Sequence, residues 1–142
     1  MSPESNNSIP GSPKEWLVRA KSNLALARAE KPKEVFWEDM CYNAQQAAEK
    51  ALKAVLQHFQ ITFRFIHDLE ELIDTLEKSG ITFPSDLKQA AVLTQYAIET
   101  RYPGHFEEIT EADYRQALEI ANRLVEWAED VISAHNRNQE LK

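Results

Sequence analysis

From Val35 to Phe59 the sequence contains neither glycine nor proline and is dominated by Ala, Leu, Lys, Gln and Glu. These are the strongest helix formers, and a helix over this stretch would be about 37 Å long. Met40, Cys41, Ala44, Ala48, Ala51, Val55 and Phe59 keep the three-to-four spacing of one helical face. Ala47, Leu52 and Leu56 add a second face. A helix apolar on two sides belongs in the middle of a bundle, and its alanines let neighbours approach closely. Gln45, Gln46, Glu49, Lys50 and Lys53 lie between the two faces, beside the expected packing seam.

The rest of the chain reads as helices around that one. Residues 1–12 are rich in Ser, Asn and Pro and are expected to form a disordered leader. Ser12-Pro13-Lys14-Glu15 has the form of a capping box and opens a first helix, expected to end near Ala29. Ile61, Phe63 and Phe65 alternate, but no second strand is available to pair with them. They are expected to form an extended loop tucked into the bundle end. A third helix is predicted from about His67 to Lys78, ended by Ser79-Gly80. A fourth opens at Pro84-Ser85-Asp86, turns Leu87, Ala90, Ala91, Thr94, Ala97 and Ile98 inward, and stops at Pro103-Gly104. A fifth starts at Thr110, with Tyr114, Ala117, Leu118, Ala121, Leu124, Val125, Ala128, Val131 and Ile132 on its apolar face. Residues 135–142 should fray. The whole reads as an all-α, up-and-down helical bundle of four main helices plus one shorter helix, a single domain over residues 13–134. Only three glycines among 142 residues argue against a β-rich fold.

Charge and sequence texture narrow the function. A net charge of −7 disfavours RNA or DNA binding over the whole surface, though not one local basic pocket. No apolar run approaches the length of a membrane span, and no signal peptide opens the chain, so a cytoplasmic location is expected. Cys41 lies in the apolar stripe and reads as a small buried hydrophobe. His58, His67, His105 and His135 have no metal-ligand spacing. No glycine-rich phosphate loop is present, and no metal or cofactor is expected.

Gln45-Gln46-Ala47-Ala48-Glu49-Lys50-Ala51-Leu52-Lys53-Ala54 resembles the signature helix of HEPN domains. His67-Asp68-Leu69 and Thr100-Arg101-Tyr102-Pro103-Gly104 follow in the order and rough spacing of the HEPN branch that accompanies minimal nucleotidyltransferases. The resemblance covers about residues 13 to 134. It implies a helical bundle that commonly dimerises, and a partner more than a reaction.

Three groups of residues are candidates for a site. His67 and Asp68 could orient a phosphate; read structurally, they are a helix entrance and its dipole partner. Arg101 and His105 are the weak catalytic candidates. The resemblance implies that HEPN ribonucleases use an Arg and a His with four to six residues between them, to bind and polarise the scissile phosphate. Here three residues separate the two, one of them Pro103, so the motif is absent in its proper form. Lys50 and Lys53, with Gln46 and Glu49, form a polar strip that is either a solvated face or a phosphate-binding wall. Tyr42 or Tyr102 would stack on a base. The expectation is that Lys50, Lys53, His67, Asp68, Arg101 and Tyr102 converge on one groove. The leading function is a non-catalytic, nucleotide- or substrate-binding HEPN-type partner of a minimal nucleotidyltransferase, within a toxin–antitoxin-like pair and itself a homodimer. The alternatives are a ribonuclease toxin acting on RNA and a structural helical dimer without a ligand.

Overall fold

A computed structural model of the chain describes residues 11–97 and 108–140. Helix α1 spans Pro13–Arg28, α2 Trp37–His58, α3 Leu69–Lys78 and α4 Glu111–Glu140. A 3₁₀ helix over Ser85–Tyr96 lies between α3 and α4. No strand occurs among the described residues.

The caps follow from local sequence. Ser12 Oγ accepts from the Glu15 amide at 3.2 Å and starts α1. Asp68 Oδ1 accepts from the Glu70 and Glu71 amides at 3.0 and 3.4 Å and starts α3, two residues later than the sequence predicts. Thr110 and Asp113 cap α4 reciprocally, Thr110 Oγ1 accepting from the Asp113 amide and Asp113 Oδ2 from the Thr110 amide. α3 ends in a Schellman turn: the Ile81 amide donates to Leu76 O and Gly80 takes φ 91°. α2 ends the same way, with the Ile61 amide on Leu56 O, but here the left-handed position is filled by Gln60 at φ 57°.

α2 is the axis of the fold and packs against every other element. Ala44, Ala47, Ala48, Ala51, Leu52, Val55 and Leu56 are all fully buried. Both expected faces are therefore covered. α1 runs antiparallel to α2, since Trp16 meets Lys53 while Asn23 meets Asn43 further back along α2. α4 runs parallel to α2: Tyr114 stacks near Trp37 at their starts, and His135 meets His58 at their ends. α3 and the 3₁₀ helix form an antiparallel pair, fastened where Thr94 Oγ1 accepts from the Leu69 amide at 3.1 Å.

Four expectations change. The fourth helix is 3₁₀ rather than α, and its buried residues are Leu87, Ala90, Leu93 and Tyr96. That period of three matches 3.0 residues per turn, so an α-helical template misses Leu93 and Tyr96. Phe65 does not tuck into the bundle end; it is 83% exposed, whereas Ile61 and Phe63 pack on the core. α4 continues to Glu140 rather than fraying at His135, because the His135 ring packs on His58 and Phe59. The strip Gln46, Glu49 and Lys53 is buried, not a solvated face. The leader at residues 1–10 and the Ile98 and Pro103-Gly104 positions lie outside the described residues.

Candidate functional site

The polar residues of α2 form two networks. The first is centred on Glu49. Its Oε2 accepts from Lys53 Nζ at 2.8 Å, and its Oε1 accepts from Gln45 Nε2 and His67 Nδ1, each at 2.9 Å. Gln46 Nε2 donates to Gln45 Oε1 at 2.7 Å. The Glu49 and Lys53 side chains are only 4% and 5% exposed, while that of His67 is 65% exposed. Gln45, Glu49 and Lys53 stand four apart and so share one face of the helix.

Burial alone would push the Glu49 carboxyl up. The hydrogen bonds from Lys53, Gln45 and His67, with the charge of Lys53, outweigh it and hold the group below the usual carboxylate range. A carboxylate cannot donate, so His67 Nδ1 carries the proton of that bond. Nε2 is left on the solvent side of a ring whose orientation Glu49 fixes. Lys53 Nζ also sits 5.3 Å from the Trp16 ring centroid and 5.9 Å from that of Phe65. The arrangement is a buried ion pair roofed by two aromatic rings, with one oriented imidazole reaching water.

The second network faces α1. Lys50 Nζ donates to Asn23 Oδ1 at 2.7 Å, and Asn23 Nδ2 donates to Asn43 Oδ1 at 3.1 Å. Burial lowers the Lys50 pKa, Glu49 opposes that, and the charges of Arg19 and Lys53 add to it. Lys50 is thus part of the α1–α2 seam rather than of a groove with Lys53. Asp68 is the α3 cap. Tyr42 lies on α2 about 10 Å along the axis from Glu49, the residue that holds His67. Arg101, Tyr102 and His105 lie outside the described residues. Of the expected site residues, the structure joins Gln46, Lys53 and His67 through Glu49, which the sequence reading had placed in the polar strip. It adds Gln45, Trp16 and Phe65, which the sequence reading did not place in the site. The four-residue spacing of Gln45, Glu49 and Lys53 was the available signal for the first. Among the described residues no three His, Cys, Asp or Glu side chains gather as a metal-ligand cluster, and no helix is long and apolar enough to cross a membrane.

The family profile for the HEPN domain matches residues 13–131. The chain belongs to the HEPN family. The crystal structure of an archaeal HEPN homologue superposes with a TM-score of 0.67 at 29% sequence identity, over 85% of this chain and 98% of that one. A comparison with curated proteins gave no match. The HEPN match spans α1, α2, α3, the 3₁₀ helix and most of α4, so both networks lie within the family fold.

Proposed function

We propose that this HEPN chain is a non-catalytic binding module that offers a nucleotide- or substrate-binding surface to a minimal nucleotidyltransferase. The observation that carries the reading is the Glu49–Lys53 pair, buried in the central helix and used to hold the exposed His67 ring. A buried ion pair contributes little net stability compared with apolar packing, and such groups concentrate at functional sites. With a second proton on Nε2 the His67 ring donates to a phosphate oxygen while Nδ1–H stays on Glu49, and the exposed Phe65 ring two residues away can stack on a base. The spacing of Arg101 and His105 supports binding over ribonuclease chemistry. The resemblance to HEPN domains, which commonly dimerise, supports a second copy as a further partner.

The test is ATP titration of the full chain, together with co-purification with a nucleotidyltransferase encoded beside it. Binding should weaken with salt and fall about tenfold in His67→Ala, the size of one charge-assisted hydrogen bond. Affinity equal in wild type and His67→Ala, with no co-purifying nucleotidyltransferase, would sink the reading.

A further inference from the structure

We propose that the cleft at the end of α2 is a nucleobase subsite. The inference rests on the nucleotide reading above and deepens it, assigning residues to the base as well as to the phosphate. The cleft has a volume of about 370 Å³, within the roughly 300–1,000 Å³ of small-ligand sites. It is lined by Gln57, Gln60, Ile61, Thr62, Phe63 and Phe65.

Two turns and one ion pair set its shape. The Schellman turn with Gln60 at φ 57° takes the chain off α2. Arg64 holds the loop to α3 through two bonds to Glu71, each 2.8 Å. The Ile66 amide donates to Arg64 O at 3.0 Å and closes a three-residue turn with Phe65 at its apex. That apex carries the Phe65 ring into solvent while Ile61 and Phe63 pack on the core. The Phe63 and Phe65 rings stand 5.7 Å apart, tilted by 59°.

The lining selects the ligand. None of the six side chains is ionisable, so the cleft has no charge of its own with which to recruit an ion. The Gln57 and Gln60 amides and the Thr62 hydroxyl make no side-chain hydrogen bond among the described residues. Each of these groups can both donate and accept. The matching occupant is uncharged, flat enough to lie on a phenyl face, and carries donors and acceptors along one edge. A nucleobase has all three properties: a Gln amide pairs with the donor–acceptor edge of adenine, and a Phe ring stacks on its face. A peptide group matches the amides but leaves most of the Phe65 face in water. The position of the cleft agrees with this occupant. The Phe65 ring centroid is 5.9 Å from Lys53 Nζ, and Lys53 and His67 bond the two oxygens of one carboxylate, that of Glu49. Phe65 therefore joins the cleft to the His67 surface.

The experiment titrates the full chain with ribose 5-phosphate, AMP, adenosine and tetra-adenylate RNA at constant ionic strength, reading heat. AMP is expected to bind wild type about tenfold tighter than ribose 5-phosphate, the size of one stacked base. Phe65→Leu and Gln57→Leu should remove that difference. His67→Ala should weaken both phosphates by one factor and preserve it. Gln57 and Phe65 are exposed, so neither variant disturbs the core, and far-UV circular dichroism checks this. RNA binding tighter than AMP identifies a strand as the source of the base; the reverse order identifies a free nucleotide. The proposal is overturned if AMP and ribose 5-phosphate bind wild type equally, or if both cleft variants keep the wild-type ratio. It is also overturned if neither AMP nor adenosine saturates, or if N-acetylalanine methylamide saturates where adenosine does not. The two readings fail separately. Adenosine binding lost in Phe65→Leu, with AMP unaffected by His67→Ala, keeps the base subsite and removes the phosphate contact. Equal binding of AMP and ribose 5-phosphate, both weakened by His67→Ala, does the opposite.

Discussion

Lys53→Met isolates the energetics of the buried pair. Methionine keeps the aliphatic stem between Trp16 and Phe65 but removes the ammonium. Glu49 then remains almost fully buried with hydrogen bonds from Gln45 and His67 only. Breaking a buried pair by removing one partner costs about 3–5 kcal/mol. The two remaining donors place this case near the lower end, about 3 kcal/mol. At roughly 3 °C per kcal/mol for a chain of this size, Tm should fall by about 9 °C. The double variant Glu49→Met/Lys53→Met should recover most of that loss, because no charge is left uncompensated. The pH dependence gives a second check. In the wild type the Glu49 carboxyl is held low, so its contribution is present above the unfolded carboxyl pKa and is lost as pH falls through the folded value. In Lys53→Met burial prevails and the folded pKa rises. The carboxyl then opposes folding as pH climbs above about 4.3. Urea denaturation followed by far-UV circular dichroism from about pH 2 to 7 measures both effects. A Lys53→Met variant within about 1 kcal/mol of wild type, with the same pH slope, would refute the claim that this pair is buried and coupled.

Leu124→Ala, at a fully buried position of α4, should cost about 2–5 kcal/mol, whereas Glu126→Ala on the exposed side should cost less than about 0.5 kcal/mol; thermal melts compare the two. The His58 pKa is lowered by burial and then by His135. That contribution is complete above the unfolded pKa of about 6.5 and is lost as pH falls through the folded value, so Tm should drop between pH 7 and 5, and less so in His58→Gln. Gln60→Gly should stabilise the chain by roughly 0.5–1 kcal/mol, because glycine takes φ 57° without the Cβ penalty; an unchanged denaturation midpoint would count against it. Light scattering at tens of micromolar should give the mass of a dimer, and a monomer there removes the second-copy partner.

The fold was legible wherever a strong local signal coincided with the helical period. The α1 capping box, the α2 double face and the Ser79-Gly80 stop all lie in runs where cap chemistry and apolar spacing agree. The 3₁₀ helix was not legible, because Leu, Lys, Gln and Ala in 85–96 favour an α-helix and only tertiary burial of Leu93 and Tyr96 selects the tighter winding. The site was half legible. His67 and Lys53 stood out by residue type, but their link runs through Glu49, which His67 meets only because the segment before α3 returns to α2. Phe65 was misplaced because alternation marks two faces of a segment without saying which one the bundle covers. Lys50 shares a helix with Lys53, yet its α1-facing side separates it from His67.

The 3₁₀ helix also sets what kind of length change the chain tolerates between α3 and α4. Each residue there turns the backbone about 120° instead of 100°. Removing Gln89, Ala90 and Ala91 together would take out one whole turn and shorten the segment by about 6 Å. Leu87, Leu93 and Tyr96 would stay in phase, on the same side as before. Removing one or two residues would swing Leu93 and Tyr96 into water and bring Lys88 or Gln95 towards the core. Insertions and deletions in this segment are therefore expected to be viable in multiples of three residues, as though the protein had a reading frame of its own at that place.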